Sequence, residues 1–144
     1  MNTYKITIVD HEIVYAIANN LYEGFNSWKI MSMRGWSVAH EATKTTVLPL
    51  DFELWALGNR EGWLVAHEAA RNNTLPSGFN QWGLMGRVGL SVAHVAATSG
   101  SGYLPADFDQ WELTNKRGLS VKDVHEKYQK ELAQREEGYE SIPF

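Results

Sequence analysis

Apolar and small residues recur along this chain in blocks, at a period far longer than a helical turn. The stretch GWLVAHEAA from Gly62 has relatives in GWSVAHEAT from Gly35, GLSVAHVAA from Gly89 and, less closely, GLSVKDVHE from Gly118. The four glycines are separated by 27, 27 and 29 residues. A second signature, Phe-x-x-Trp, keeps the same register at Phe25/Trp28, Phe52/Trp55, Phe79/Trp82 and Phe108/Trp111, each Trp seven residues before a glycine. Leu-Pro precedes the Phe at Leu48-Pro49, Leu75-Pro76 and Leu104-Pro105, with Leu21-Tyr22 in that slot of the first copy. The two extra residues of the last interval fall at the loop Gly100 to Gly102. Self-similarity at a fixed period is the signature of a repeat architecture.

One unit shows what the pattern predicts. In the third, Gly89 closes a turn and Ser91 is placed to cap a helix running to about Thr98. Val92, Ala93, Ala96 and Ala97 make one narrow face of small residues, which lets neighbouring helices approach closely. TSGSG ends that helix, and Pro105 suits a turn or the first position of a second, short helix. Asp107, like Asp51 two units earlier, is placed to cap it, and Phe108 and Trp111 at i and i+3 share a face. ELTNKRG then leads out as a protruding finger to the next glycine. No single unit can bury its own apolar face, so the units must stack.

The motif Gly-x-Ser-Val-Ala-His-x-Ala-Ala resembles the Gly-x-Thr-Pro-Leu-His-x-Ala-Ala signature of ankyrin repeats, over roughly residues 10 to 130. The resemblance implies an all-α, ankyrin-like repeat solenoid of stacked helix, short helix and finger-loop units with N- and C-terminal caps. The period is shorter than the ankyrin value of about 33, and the loss falls in the second helix. Val and Ala replace the usual Pro and Leu, and Leu64 replaces a capping hydroxyl at a cost of about 1 kcal/mol. Residues 1–137 are expected to form one domain: an N-terminal cap at 1–34, repeats at 35–61, 62–88 and 89–117, and a C-terminal cap helix at 118–137. In the first cap, alternating Tyr4, Ile6 and Ile8 suggest a short strand, and Asp10 an N-cap with Val9 and Val14 as hydrophobic staple. In the last, Val121, Val124, Tyr128 and Leu132 form an apolar stripe. The other faces carry the i,i+4 pairs Glu126/Lys130 and Glu131/Arg135, the polar exterior a terminal unit needs. Residues 138–144 read as a loose tail.

Composition changes this picture little. The chain has 144 residues, 44% hydrophobic and 21% charged, with a net charge of -4, as expected of a globular domain. It has no cysteine, which excludes disulfides, zinc knuckles and thiol chemistry. The N-terminus lacks the apolar core of a signal peptide and no run reaches membrane-spanning length, so a cytoplasmic, non-membrane protein is expected.

Candidate chemistry is sparse. His40, His67 and His94 share one repeat position. Stacked helices lie about 8–10 Å apart, whereas Zn–N bonds are about 2.0–2.1 Å, so adjacent rungs cannot share an ion. There is no HExxH spacing. The resemblance implies that each imidazole ties units together, with Glu68 solvated; a metal- or carboxylate-dependent enzyme would rest on this column alone. The Gly-rich SGSG lacks the Lys-Ser/Thr of a phosphate loop. The Phe-x-x-Trp columns read as core rather than as a stacking platform. No enzyme, cofactor or metal is expected.

What varies between units is the finger side. Trp36, Trp63, Leu90 and Leu119 follow the glycines, and Arg34, Arg60, Arg87, Lys116 and Arg117 precede them, with Met31, Met33 and Met85 alongside. Trp, Arg and Met are enriched at binding interfaces. The expected function is protein binding by a monomer through Met33, Arg34, Trp36, Arg60, Trp63, Arg87, Leu90, Lys116 and Arg117. Trp36 and Trp63 would be the anchors and the partner would carry an acidic patch. Such a module acts by occupancy, as adaptor or inhibitor. The alternative is nucleic-acid binding along the basic stripe, for which no motif is present.

Overall fold

A computed structural model describes residues 8–100, 102 and 104–140, with side chains through residue 135. Tyr4, Ile6 and residues 141–144 lie outside the described residues. Five helices follow in order: α1 (His11–Ala18), α2 (Val38–Ala42), α3 (Val65–Arg71), α4 (Val92–Ala97) and α5 (Val121–Glu140). Each packs against the next in the chain. Strand β1 (Ile8–Val9) pairs in parallel with β2 (Met31–Ser32), in the register Ile8 to Met31 and Val9 to Ser32. The short strand expected to reach Ile8 is thus paired with a second one, beside an otherwise mostly helical chain. α5 continues through Glu140, past the expected start of a loose tail at 138.

The repeat helices are only five to seven residues long, too short to persist without tertiary support. Their first turns show what holds them. The N–H groups of Val65 and Ala66 donate to Leu57 O at 2.9 Å and Trp55 O at 3.1 Å. The same pair of bonds recurs at Val38/Ala39, Val92/Ala93 and Val121/Lys122. Ser37 and Ser91 then cap in the ordinary way, Oγ accepting from the N–H of His40 at 3.0 Å and His94 at 3.1 Å. The amides orphaned at these helix starts are therefore satisfied by the preceding turn plus, everywhere but at Leu64, one serine.

This arrangement overturns the expected second helix. The segment from Leu-Pro to the finger is a run of turns, with bonds such as Phe52 N–H to Pro49 O and Leu57 N–H to Leu54 O. The Trp and Leu carbonyls that would continue such a helix point instead at the next helix start. Asp51 and Asp107 accordingly cap no helix; both are exposed turn residues. Asp10 does precede α1, without a side-chain cap bond. At Leu64 the missing hydroxyl is offset in two ways. Its amide donates to His67 Nδ1 at 3.0 Å, and its buried side chain packs within reach of Gly58 and Gly86.

Phe-x-x-Trp forms the core's spine. Tyr22, Phe25, Trp28, Phe52, Trp55, Phe79, Trp82, Phe108 and Trp111 make an unbroken edge-to-face ladder, with centroids 4.7–5.6 Å apart and planes at 79–86°. Each such contact contributes about 0.5–1.5 kcal/mol beyond its buried area. The small face of Val, Ala and Ala on α2 to α4 is buried beside it.

The fingers stack too. Three of the four close with an antiparallel bridge, Met31 to Ser37, Gly58 to Leu64 and Thr114 to Ser120. Arg60 N–H donates to Gly35 O at 3.3 Å and Lys116 N–H to Gly89 O at 2.9 Å. The repeat glycine serves two needs here. Gly62 has φ +86° and lies so close to the next finger that a Cβ would sit 2.7 Å from Arg87 Cβ. Gly35 and Gly89 meet Arg60 Cβ and Lys116 Cβ at 2.6 and 2.7 Å in the same way.

Candidate functional site

The histidine column is fully engaged in the scaffold. His40, His67 and His94 are buried, and Nε2 of each meets the backbone carbonyl of the residue after the next unit's glycine: Trp63 O at 2.8 Å, Leu90 O at 2.6 Å and Leu119 O at 2.8 Å. A carbonyl only accepts, so Nε2 carries the proton and Nδ1 is the acceptor. Nδ1 then receives Ser37 Oγ–H and Ser91 Oγ–H at 2.6 Å, and Leu64 N–H in the middle unit. Burial pushes His40 and His67 below the ordinary imidazole value, and the accepting carbonyls only partly offset it. In the fourth copy Asp123 takes the histidine's place, its N–H donating to Ser120 Oγ at 3.0 Å. Among the described residues no group of three His, Asp or Glu is placed to hold a metal.

Glu68 is the clearest correction. Instead of being solvated it is 1% exposed, with Oε1 accepting from Trp63 Nε1 at 2.9 Å and pairing with Arg71, and Oε2 accepting from Asn72 Nδ2 at 2.9 Å. Trp63 lies between His67, stacked at 4.8 Å and 27°, and the Arg71 guanidinium 5.2 Å from its ring. The first full unit repeats this with Trp36, His40, Glu41 and Lys44. Trp36 Nε1 donates to Glu41 at 3.0 Å, and Lys44 Nζ lies 3.3 Å from that carboxylate and 5.2 Å from the ring. The sequence carried the signal in its internal comparison. Trp36 and Trp63 are each followed five residues on by Glu, whereas Leu90 and Leu119 are followed by Val95 and Val124.

The predicted binding residues fall along the finger edge, in unequal roles. Trp36 and Trp63 are only half-exposed, their rings engaged within their own units, which weakens the case for them as anchors. Arg60 donates from Nη2 to Met33 O, and Arg87 from Nη2 to Arg60 O at 2.5 Å, so both guanidinium groups tie consecutive fingers. Arg34, Lys116 and Arg117 are exposed. Met33 at 65%, Leu90 at 37% and Leu119 at 43% are the apolar side chains of that edge most open to solvent. Met31 and Met85 are half-buried.

A second concavity lies at the other end of the repeat helices. A cleft of about 670 Å³ opens between the Leu-Pro turns of the second and third units, lined by Pro76, Phe79, Trp82, Pro105, Phe108 and polar groups at its rim.

Compared with known proteins, the chain matches no protein-family model, no curated protein and no solved structure. Among the described residues no helix is long and apolar enough to cross a membrane.

Proposed function

We propose that this chain is a non-catalytic protein-binding module, an ankyrin-like solenoid that engages a partner along its finger edge. The observation that carries this reading is the division of labour between the buried and the exposed side chains of each unit. The chemically capable residues, the histidines and buried glutamates, are spent on ties within the stack. The finger edge combines exposed apolar side chains (Met33, Leu90, Leu119) with exposed cations at Arg34, Lys116 and Arg117. That combination suits a partner with an acidic patch, met in the cytoplasm, and action by occupancy as adaptor or inhibitor.

Charge reversal at Arg34 and Arg117 is the cleaner test, because reversal at Arg60 or Arg87 also removes bonds between fingers. A partner captured by the wild-type chain is lost by R34E/R117E while the melting temperature stays within about 2 °C, the span expected of surface changes. Equal capture by the two proteins refutes the finger edge as the site. Nucleic acid is the weaker reading, since two of the five finger cations already serve carbonyls. It would show as affinity for labelled DNA or RNA that falls steeply with salt.

A further inference from the structure

We propose that the cleft between the second and third units binds a small organic cation, an apolar body carrying a protonated amine. The repeat itself shows why the cleft is there. At the preceding junction Leu50 lies against Gly78, where an added Cβ would come within 3.3 Å of Leu50 Cδ2. One unit later those two positions are Ser77 and Asp107. The leucine becomes a hydroxyl, and the glycine it rested on becomes a carboxylate. The two-residue insertion of the third unit falls at the same rim. An added Cβ at Gly100, which helps line the cleft, meets nothing within 4 Å. The cleft therefore forms where the chain departs from its own repeat in both length and residue type.

Size and chemistry select the ligand. A volume of about 670 Å³ lies within the range of small-molecule pockets, roughly 300–1,000 Å³. Aromatic and proline side chains line its walls and give it apolar surface for the body of such a ligand. Asp107 and Asp109 line the cleft, both exposed, and no cationic side chain of the described residues pairs with either. The cation at the cleft, Arg71, is already paired with Glu68 and faces the Trp63 ring. Two unpaired carboxylates beside a neutralised arginine favour a cation over an anion. The site lies at the far end of α3 and α4 from the fingers, so it is independent of the proposed partner edge.

The test is an amide-shift titration of the ¹⁵N-labelled full chain with 2-phenylethylamine, against 2-phenylethanol and 3-phenylpropionate as neutral and anionic counterparts of similar shape. The amine should give saturable shifts confined to the cleft, at Gly78, Asn80, Gly100 and Asp107, and bind at least about tenfold more tightly than the alcohol or the acid. D107N/D109N should remove that preference while melting as the wild type does, since neither carboxylate holds the fold. S77L, which places at the cleft the leucine found at the preceding junction, should weaken binding of all three by narrowing it. The proposal is overturned by shifts that do not saturate by about 10 mM or that scatter over the surface. Equal binding of the alcohol, or an amine preference that survives D107N/D109N, also overturns it.

Discussion

Placing the same methyl group at two glycines of equal backbone conformation separates the two reasons for a repeat glycine. Gly62 and Gly118 have φ of +86° and +80°, so Ala at either site meets the same left-handed penalty of about 1–2 kcal/mol, offset by about 0.4–1 kcal/mol from a less flexible unfolded chain. Gly118→Ala should therefore cost about 1 kcal/mol, because nothing lies within 4 Å of the new Cβ. Gly62→Ala adds a carbon 2.7 Å from Arg87 Cβ and 3.3 Å from Arg87 N. Arg87 Cβ is rooted in the backbone, so the next finger must move, at an overpacking cost of about 1–3 kcal/mol. That movement also strains the Arg87 bond to Arg60 O, a charged hydrogen bond whose loss costs up to about 1.5–3 kcal/mol. Gly62→Ala should thus be destabilised by about 3 kcal/mol or more, a large fraction of a small domain's stability. Urea unfolding by circular dichroism measures both variants. Losses equal within about 0.5 kcal/mol would show that backbone conformation alone fixes the glycine and that the finger contact is not tight in solution.

Acid should loosen the stack. Folding lowers the pKa of His40 and His67 from 6.5 through burial, so the unfolded chain takes up protons first as the pH falls. Their contribution is complete above pH 6.5 and is lost on acidification towards the lowered folded-state values, at up to about 1.4 kcal/mol per pH unit for each histidine. Urea midpoints measured from pH 7.5 to pH 5 check this, and a flat profile contradicts it. The Trp–Glu pairing predicts strong coupling. W63L and E68V should each destabilise, one leaving Glu68 with a partner fewer and the other leaving Trp63 Nε1 and Arg71 without their acceptor. The double variant, which copies Leu90/Val95, should recover about 1–2 kcal/mol of the summed loss; strict additivity would refute the coupling.

The register of the repeat was legible because it rests on residues that each do something only they can do. The glycine accepts positive φ and close approach, the Phe and Trp build the ladder, and the small face sits on α2 to α4. Asp51 and Phe52, by contrast, read locally as a capped helix start. The competing use of the Trp and Leu carbonyls, donor groups 8 and 11 residues further along, is a tertiary effect that local pattern does not contain. Glu68 was misread for a similar reason. A carboxylate on a short helix is usually solvated, and only a comparison of units shows it entering with Trp63 and leaving with Leu90. The positions of Arg60 and Arg87, two residues before a repeat glycine, are read directly from the register. Their bonds to the preceding finger depend on the stacking distance, which a sequence does not state.

The histidines give the array a direction. Each reaches forward to a carbonyl of the following unit, so a unit carrying His at that position is chemically incomplete until a successor folds onto it. The fourth copy has Asp123 there, and among the described residues no finger follows α5. A carboxylate cannot donate to a carbonyl, so that helix issues no demand for a neighbour. In the units of α2, α3 and α4 one side chain thereby asks for a successor, and at α5 that request is absent. Lengthening this protein by design would begin at residue 123 rather than at the interface it is meant to extend.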